Sequence, residues 1–176
     1  LVGLVEALKA KQTPFCYVDT HSGRGRYELS GSEAKRTGEA ADGVQRLLAS
    51  TRAPALLHVY VNLVRAMNAG SGELTVYPGS PLLASLLMRE QDRGILCELQ
   101  PEEADALKSL FRGDPRFAVH VRDGYAAMKA LLPPPQRRGL VLIDPPFEAQ
   151  EDEFRIIEKA LADAQRRWPG GIYAAW

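Results

Sequence analysis

A carboxylate, two prolines and an aromatic ring follow one another in the segment Asp144 to Phe147, which reads D-P-P-F. The segment comes directly after Gly139 to Ile143, an uncharged run that is typical of a central strand in a parallel sheet. Pro145 and Pro146 cannot donate to a strand ladder, so the chain turns rigidly at this point. The pattern predicts an acid and a ring on a rigid corner at the carboxyl end of a buried strand.

Acidic residues stand at the ends of four successive predicted strands: Asp19, Glu98, Asp123 (just past its strand) and Asp144. Ligands of open α/β sheets bind beyond the carboxyl ends of the strands. Single acids have simpler explanations, a helix N-cap for Asp123 and a surface charge for Glu98. Four acids along one edge would crowd like charges around a crevice, so we expect a ligand with hydroxyls, amino groups or positive charge there.

A glycine-rich turn, D-T-H-S-G-R-G (Asp19 to Gly25), follows the first predicted strand and allows the backbone to approach a ligand closely. The turn lacks the G-K-[ST] ending of a phosphate-binding P-loop. Glu28 stands where the dinucleotide motif G-x-G-x-x-G would have its third glycine. Glu98 has the position of an acid that accepts hydrogen bonds from ribose hydroxyls in nucleotide-binding folds. Together these features favour a ligand site on the edge of the sheet.

The elements that position these residues alternate between strand and helix. Periodicity predicts a helix over residues 1–12 and a strand over 14–19. After Gly94 it predicts strands over 95–99, 117–121, 140–143 and 171–176, separated by helices over 101–111, 125–131 and 151–167. Such alternation indicates an α/β fold with a parallel sheet and right-handed crossovers.

Residues 30–92 show a helical pattern without strand runs. It predicts helices near Glu39 to Ser50, near Pro54 to Asn68 and from Pro78 onward, the last with Ser80 as N-cap and Pro81 at the first helical position. We therefore expect a helical subdomain over 30–92, inserted into a core that consists of residues 1–29 and 93–176.

Bulk properties restrict the class of protein. The 176 residues suffice for one domain with a real core, and 22 basic against 22 acidic residues give no electrostatic argument for nucleic acid or a membrane. Cys16 and Cys97 lie in apolar runs without metal-ligand spacing, as reduced core cysteines of a cytosolic protein do. The chain begins at Leu1 inside a predicted helix and ends at Trp176 inside a predicted strand, so we expect missing segments at both ends.

Four motifs resemble those of the class I S-adenosylmethionine-dependent methyltransferases: Val18 to Gly25, Glu98, D-G-Y from Asp123, and I-D-P-P-F from Ile143. D-P-P-F is similar to the [DNS]-P-P-[YFW] signature of those that methylate amino groups. Further stretches along the whole chain make it similar to the bacterial 23S ribosomal RNA adenine-N6 methyltransferases. They are Phe15 to Leu29, Arg36 to Glu39, Tyr77 to Leu82, Leu87 to Asp92, Glu98 to Pro101, Arg138 to Glu148 and Gly171 to Trp176.

The resemblance implies a Rossmann-like class I methyltransferase fold, with helices on both faces of a mainly parallel sheet and residues 30–92 as the family's inserted subdomain. It implies S-adenosylmethionine as methyl donor and one adenosine of 23S ribosomal RNA, protein-free or in an early assembly form, as acceptor. It further implies a cytoplasmic monomer without a metal or a membrane partner.

The resemblance also implies roles for individual residues. His21 and Ser80 would contact the methionine part of the donor, Glu98 its ribose hydroxyls, and Asp123 with Gly124 its adenine ring. Asp144 would contact the donor and act as the catalytic acid at the target amine, with Pro145 and Phe147 beside it. Phe147 stands where the family has a tyrosine, and the family's basic N-terminal segment is absent from this chain. We therefore expect the chain alone to bind the donor poorly.

The chemistry of an adenine amine explains these residue types. Its nitrogen is a poor nucleophile because the lone pair is delocalised, so positioning in line with the methyl group is the main requirement. Asp144 and the carbonyl of Pro145 would accept the two N–H bonds and stabilise the developing positive charge. Phe147 would stack on the exposed base, worth ~1–3 kcal/mol.

Alternatives stay open at this point. D-P-P-F also permits DNA adenine, guanine or a protein amide nitrogen as acceptor. A non-catalytic module that binds donor or RNA is a second class. A nucleotide-dependent α/β enzyme of another kind is a third, which the missing third glycine disfavours.

Overall fold

A computed structural model describes residues 1–29, 43–44, 46–49, 54–70, 73–146 and 150–176. The elements, in chain order, are α1 (Val2–Lys9), β1 (Cys16–Asp19), β2 (Arg26–Glu28), α2 (Arg46–Ala49), α3 (Ala55–Met67), β3 (Val76–Pro78), α4 (Ser80–Leu87), β4 (Arg93–Glu98), α5 (Pro101–Leu110), β5 (Phe117–Val121), α6 (Gly124–Leu131), β6 (Gly139–Ile143), α7 (Gln150–Arg167) and β7 (Ile172–Ala175). Half of the helix predicted near 39–50 lies outside the described residues, as does Phe147.

Five parallel strands form the central sheet in the order β5-β4-β1-β6-β7. Strand β1 is in the middle, with Asp19 paired to Leu96 of β4 on one side and to Leu142 of β6 on the other. All residues of β1 and β6 are buried, as expected of parallel strands that are covered on both faces. The predicted parallel α/β sheet is confirmed.

Helices cover both faces of this sheet. Side chains alternate along a strand, so Tyr17 and Leu140 belong to one hydrophobic cluster while Cys16 and Val141 belong to the other. The first cluster contains residues of α1, α4 and α5, and the second contains residues of α6 and α7. The expected architecture, a mainly parallel sheet between two helical layers, is therefore present.

Two predictions for residues 30–92 are wrong. The span contains a strand, β3, which pairs antiparallel with β2 through Tyr77 opposite Tyr27. Three residues are too few to establish a strand period, and only the distant partner strand defines this one. The second error concerns Ser80, which is the first residue of α4 rather than its N-cap, because Gly79 holds the cap position. The division into a core and an inserted subdomain stays a prediction.

Both cysteines are free and buried, as predicted. Burial raises the pKa of each thiol to about 12, so both thiols stay protonated at neutral pH. Within the described residues, no helix combines the length and the apolar character needed to cross a membrane.

Candidate functional site

The carboxyl ends of the central strands bring the predicted acids to one edge of the sheet. Strands β1, β4 and β6 are adjacent and parallel, so Asp19, Glu98 and the residue just past β6, Asp144, lie along the same edge. Asp123 follows the next strand, β5. Asp19 and Glu98 are buried, Asp123 is half-buried and Asp144 is exposed. The edge therefore has a buried side at β1 and β4 and an accessible side at β6.

Asp19 is the centre of a buried hydrogen-bond network. The hydroxyls of Tyr17 and Ser80 both donate to its Oδ2, at 2.5 Å and 2.6 Å, and the backbone N–H of His21 donates to its Oδ1 at 3.3 Å. Burial and, to a smaller extent, the nearby Asp144 carboxylate raise the pKa of Asp19 from 3.8 to about 6, a net value that the hydrogen bonds keep from rising further. Asp19 thus holds Ser80 and the start of the glycine turn in fixed positions.

Glu98 joins the glycine turn to the start of α5. Its Oε2 accepts the backbone N–H of Gly23 at 2.8 Å, and its Oε1 accepts that of Gln100 at 2.7 Å. Gly23 has a φ of +58°, the left-handed region that favours glycine. An ionised carboxylate has about four acceptor positions, so both oxygens of Glu98 retain capacity for further hydrogen bonds. These remaining acceptor positions fit a pair of ribose hydroxyls, which can donate.

Asp123 and Gly124 each have a structural role of their own. The side chain of Asp123 accepts the backbone N–H of Ala126 at 2.7 Å and caps α6, so the capping alternative is confirmed. A Cβ on Gly124 would lie 2.1 Å from the carbonyl oxygen of Thr20. Glycine at this position therefore allows α6 to pack against the turn after β1. The predicted contact of both residues with an adenine ring stays a prediction.

His21 is placed between the two sides of the edge. Its Nδ1 lies 2.8 Å from Oγ1 of Thr20, and its ring meets Tyr125 edge-on with centroids 5.1 Å apart. Partial burial raises the pKa of Asp144, and the nearby His21 opposes that rise. The structure thus brings His21 and Ser80 together with Asp19 and Asp144 at one end of the sheet.

The corner after β6 is partly described. Strand β6 ends at Ile143, just before Asp144, and of the two prolines that follow, Pro145 is buried and Pro146 is exposed. Phe147 lies outside the described residues, and its predicted stacking role stays a prediction.

Tyr17 and Thr20 belong to the site, although sequence reasoning did not identify them. Tyr17 is within the apolar run F-C-Y-V and is typical of a core residue there. A signal was present, because Tyr17 and Asp19 are two positions apart on one strand and therefore face the same way. No comparable signal exists for Thr20, whose partners come from another strand and from the adjacent ring.

Comparison with known proteins gives consistent relationships. A family model described as "RsmJ: Ribosomal RNA large subunit methyltransferase D, RlmJ" matches residues 12–176. The ribosomal RNA large subunit methyltransferase J of Escherichia coli (strain K12) is 46% identical over 173 residues, 98% of this chain and 61% of that protein. The protein of the same name from Haemophilus influenzae is 43% identical over 176 residues, 100% of this chain and 62% of that protein.

A crystal structure of a protein from Legionella pneumophila superposes with a TM-score of 0.88 and 35% identity. The superposition covers 99% of this chain and 64% of that one. The chain spans less than two thirds of the length of each of these three relatives. Because the family model matches residues 12–176, almost the whole sequence, the chain belongs to the RlmJ family of ribosomal RNA large subunit methyltransferases.

Proposed function

We propose that this chain is the catalytic part of an enzyme that transfers a methyl group from S-adenosylmethionine to N6 of one adenosine in 23S ribosomal RNA. One observation carries the proposal: the accessible carboxylate of Asp144 and the buried Pro145 follow β6 on the same sheet edge as the fixed carboxylate of Glu98. The family relationship supports it, since the two curated relatives are named ribosomal RNA large subunit methyltransferase J.

The donor side of the site comprises His21, Ser80, Glu98, Asp123 and Gly124. S-adenosylmethionine supplies an electrophilic methyl group on a positively charged sulfonium. Glu98 accepts hydrogen bonds from the ribose hydroxyls. Hydrogen bonds from two backbone N–H groups hold its oxygens in place for this contact. His21 and Ser80 contact the methionine part, and Asp123 with Gly124 contacts the adenine ring. The acids around this side favour a ligand that carries positive charge.

The acceptor side comprises Asp144, Pro145 and Phe147. Asp144 is exposed and lies near the donor side through His21, so it can contact both substrates. Its carboxylate and the Pro145 carbonyl accept the two N–H bonds of the amine, which frees the nitrogen lone pair and stabilises the developing charge. Phe147 stacks on a base that is unpaired or turned out of its helix.

We further propose that the RNA is methylated when it is protein-free or in an early assembly form, in the cytoplasm and by a monomer. A base whose amino edge contacts Asp144 and whose face stacks on an aromatic ring has to be accessible at that edge and on that face. Methylation of protein-free 23S RNA and of assembled large subunits by the same preparation would compare the two substrates. Sedimentation of the protein under assay conditions would give its oligomeric state.

The decisive experiment uses the full-length protein, labelled donor and protein-free 23S RNA, with the methylated nucleotide mapped. Asp144→Ala should lower the rate of transfer by about 10²-fold or more, comparable to the loss of one preorganised group at a reacting centre. Asp105→Ala is the matched control, because Asp105 is an exposed acid on α5 that pairs only with Lys108 in the described residues.

Three outcomes would contradict the proposal. Undiminished methyl transfer by Asp144→Ala would show that Asp144 takes no part in the reaction. Donor binding by calorimetry without transfer to any nucleic acid would favour a binding module, whereas preferential methylation of DNA or of a protein amide would change the acceptor.

A further inference from the structure

The edge of the sheet opposite the candidate site is basic. Five segments lie where a helix leads into a parallel strand, and each contains two lysines or arginines: 9–15, 88–93, 111–116, 132–138 and 166–171. Parallel strands begin on the same side of a sheet, so these segments form one edge, which we call the basic edge. Of the three acids in these segments, Asp92 is paired with Arg89. Asp114 is likewise paired with Arg116, and Glu90 is exposed.

The edge that holds the candidate site has the opposite charge. The four acids at the strand ends lie there, and the first turn of α5 adds Glu102 and Glu103. Two arginines, Arg24 and Arg122, stand among these acids, and Arg24 is paired with Glu103. The equal totals of basic and acidic residues in the sequence are therefore divided between two edges of opposite sign. Acids at the site repel the phosphates that flank an acceptor nucleotide, so affinity for RNA has to come from another surface.

Part of the basic edge has a structural task. Four arginines donate to backbone carbonyl oxygens on the same edge: Arg89, Arg93, Arg116 and Arg138. Four other side chains of the edge are exposed and take no part in these bonds: Lys11, Arg112, Arg137 and Arg167. Satisfying carbonyl groups near helix ends therefore explains the first four side chains but not the second four.

Arg137 has a backbone conformation that does not suit an arginine. Its φ is +52°, in the left-handed region that favours glycine, and among the described residues no other non-glycine residue has a positive φ. Two hydrogen bonds fix the backbone there: the Arg137 N–H donates to the carbonyl of Pro134 at 2.9 Å, and Nε1 of Trp168 donates to the carbonyl of Arg137 at 3.2 Å. Local geometry favours glycine, so the arginine side chain indicates a function outside this turn.

We propose that the basic edge, through Lys11, Arg112, Arg137 and Arg167, binds the phosphate backbone of the substrate RNA at a place remote from the methylated adenosine. Neighbouring strands are about 4.8 Å apart, so these side chains span about 19 Å from β5 to β7. The strands between the two edges contain four to six residues, which separates the row from the acceptor site by about 13–20 Å. The inference rests on the proposed function, since it takes RNA as the substrate, and it adds a second contact that positions the RNA without reading its sequence.

Matched double variants of the full-length protein test the basic edge. Arg112→Gln with Arg137→Gln removes two charges from the edge, and the control, Arg46→Gln with Lys159→Gln, removes two exposed charges from α2 and α7. Filter binding to protein-free 23S RNA should show the edge variant binding about 25-fold more weakly at about 0.1 M salt, with a salt slope smaller by about 1.4. The control should bind within about twofold of wild type. Equal losses in the two variants would show an effect of total charge and would overturn the proposal.

Arg137→Gly separates RNA binding from folding. Glycine adopts the left-handed conformation readily, so this variant should unfold at a urea concentration no lower than that of the wild type. Its affinity for 23S RNA should nevertheless fall about 5-fold at about 0.1 M salt, because one phosphate contact is lost. Unchanged RNA affinity would contradict the proposal.

Methyl-transfer kinetics give an independent readout. In the edge variant the KM for 23S RNA should rise, while the KM for the donor and kcat stay within about twofold of wild type, because the edge touches neither reacting group. Loss of binding to phosphatidylglycerol vesicles with unchanged RNA affinity would assign the edge to a membrane surface and overturn the proposal. If the proposed reaction is wrong, wild-type protein will transfer no methyl group to 23S RNA while the two double variants still differ in RNA affinity, so the two failures are distinguishable.

Discussion

The hydroxyl of Ser80 lies 2.6 Å from Oδ2 of Asp19, although 61 positions separate the two residues in the chain. The contact joins the first residue of α4 to the last residue of the central strand β1. Because the Ser80 proton is directed to Asp19, the Ser80 oxygen can act only as an acceptor toward a ligand.

The hydroxyl of Tyr17 should matter for donor binding because it orients Asp19 and, through it, Ser80. We expect Tyr17→Phe to weaken donor binding about 10-fold and to destabilise the protein by about 1.5–3 kcal/mol, the range for a hydrogen bond to a charged group. Calorimetric titration with the donor and urea unfolding provide the two measurements.

Tyr173→Phe is the matched control for this change. The Tyr173 hydroxyl lies 2.9 Å from each of the backbone carbonyl oxygens of Ala164 and Trp168, which belong to α7 and the turn after it. Its loss should lower the free energy of unfolding by about 1 kcal/mol without a change in donor affinity. Equal effects of the two variants on donor binding would argue against a positioning role for Tyr17.

Stability should depend on pH through Asp19. The pKa of this carboxyl rises from 3.8 to about 6 on folding, so the folded state binds the proton more tightly than the unfolded state. The stabilising contribution of the protonated form is present below about pH 4 and is lost as the pH rises to about 6. Each pKa unit corresponds to about 1.4 kcal/mol, which gives a decrease of about 3 kcal/mol across this window.

Asp19→Asn should abolish this decrease, because an amide does not titrate. The measurement is the difference in free energy of unfolding between wild type and variant from about pH 4 to about pH 7. Taking the difference cancels the titration of other carboxyls, such as Asp114, whose pKa is lowered by its hydrogen bond from Arg116. A difference that stays constant over this range would contradict the prediction.

Both carboxylate oxygens of Glu98 should be required for donor binding. In Glu98→Gln only the amide oxygen can accept a hydrogen bond, because the amide nitrogen is a donor. The side chain therefore loses its hydrogen bond from the backbone N–H of either Gly23 or Gln100. We expect the donor dissociation constant to rise about 10- to 100-fold, the range for a lost charged hydrogen bond. Glu102→Gln is the control, since Glu102 is an exposed acid in the first turn of α5. Comparable donor affinity of both variants would exclude Glu98 from the ribose contact.

Adding a side chain at Gly124 should disturb the packing of α6 against the turn after β1. A Cβ there would lie 2.1 Å from the Thr20 carbonyl, which belongs to the backbone and cannot rotate away. Gly124→Ala should destabilise the protein by about 1–3 kcal/mol, as overpacking does, and weaken donor binding because the Thr20 turn must move.

A Cβ on Gly170 would meet no atom within 4 Å, so Gly170→Ala serves as the control for Gly124→Ala. Urea unfolding and donor titration of the two variants check the prediction. A Gly124→Ala protein with unchanged stability would show that the turn after β1 shifts readily.

Most of the sheet could be predicted because a strand that is buried on both faces appears in the sequence as an apolar run. Strands β1 and β6 read as apolar runs that end in acids, and parallel topology then places those acids on one edge. Strand β3 left no such trace, because its three residues are defined by pairing with β2. The N-cap prediction for Ser80 failed for a related reason, since the local rule takes no account of Asp19, to which the Ser80 hydroxyl donates.

The sequence by itself determined the parallel α/β sheet, the acids at its edge and the family to which these motifs belong. The tertiary structure decided how those residues are held: Asp19 between Tyr17 and Ser80, Glu98 between two backbone N–H groups, and His21 against Thr20. The physical reason is the distance along the chain over which each effect acts. Burial and turn propensities act on neighbours in the chain, whereas the direction of a hydroxyl proton depends on acceptors that only folding brings within 3 Å.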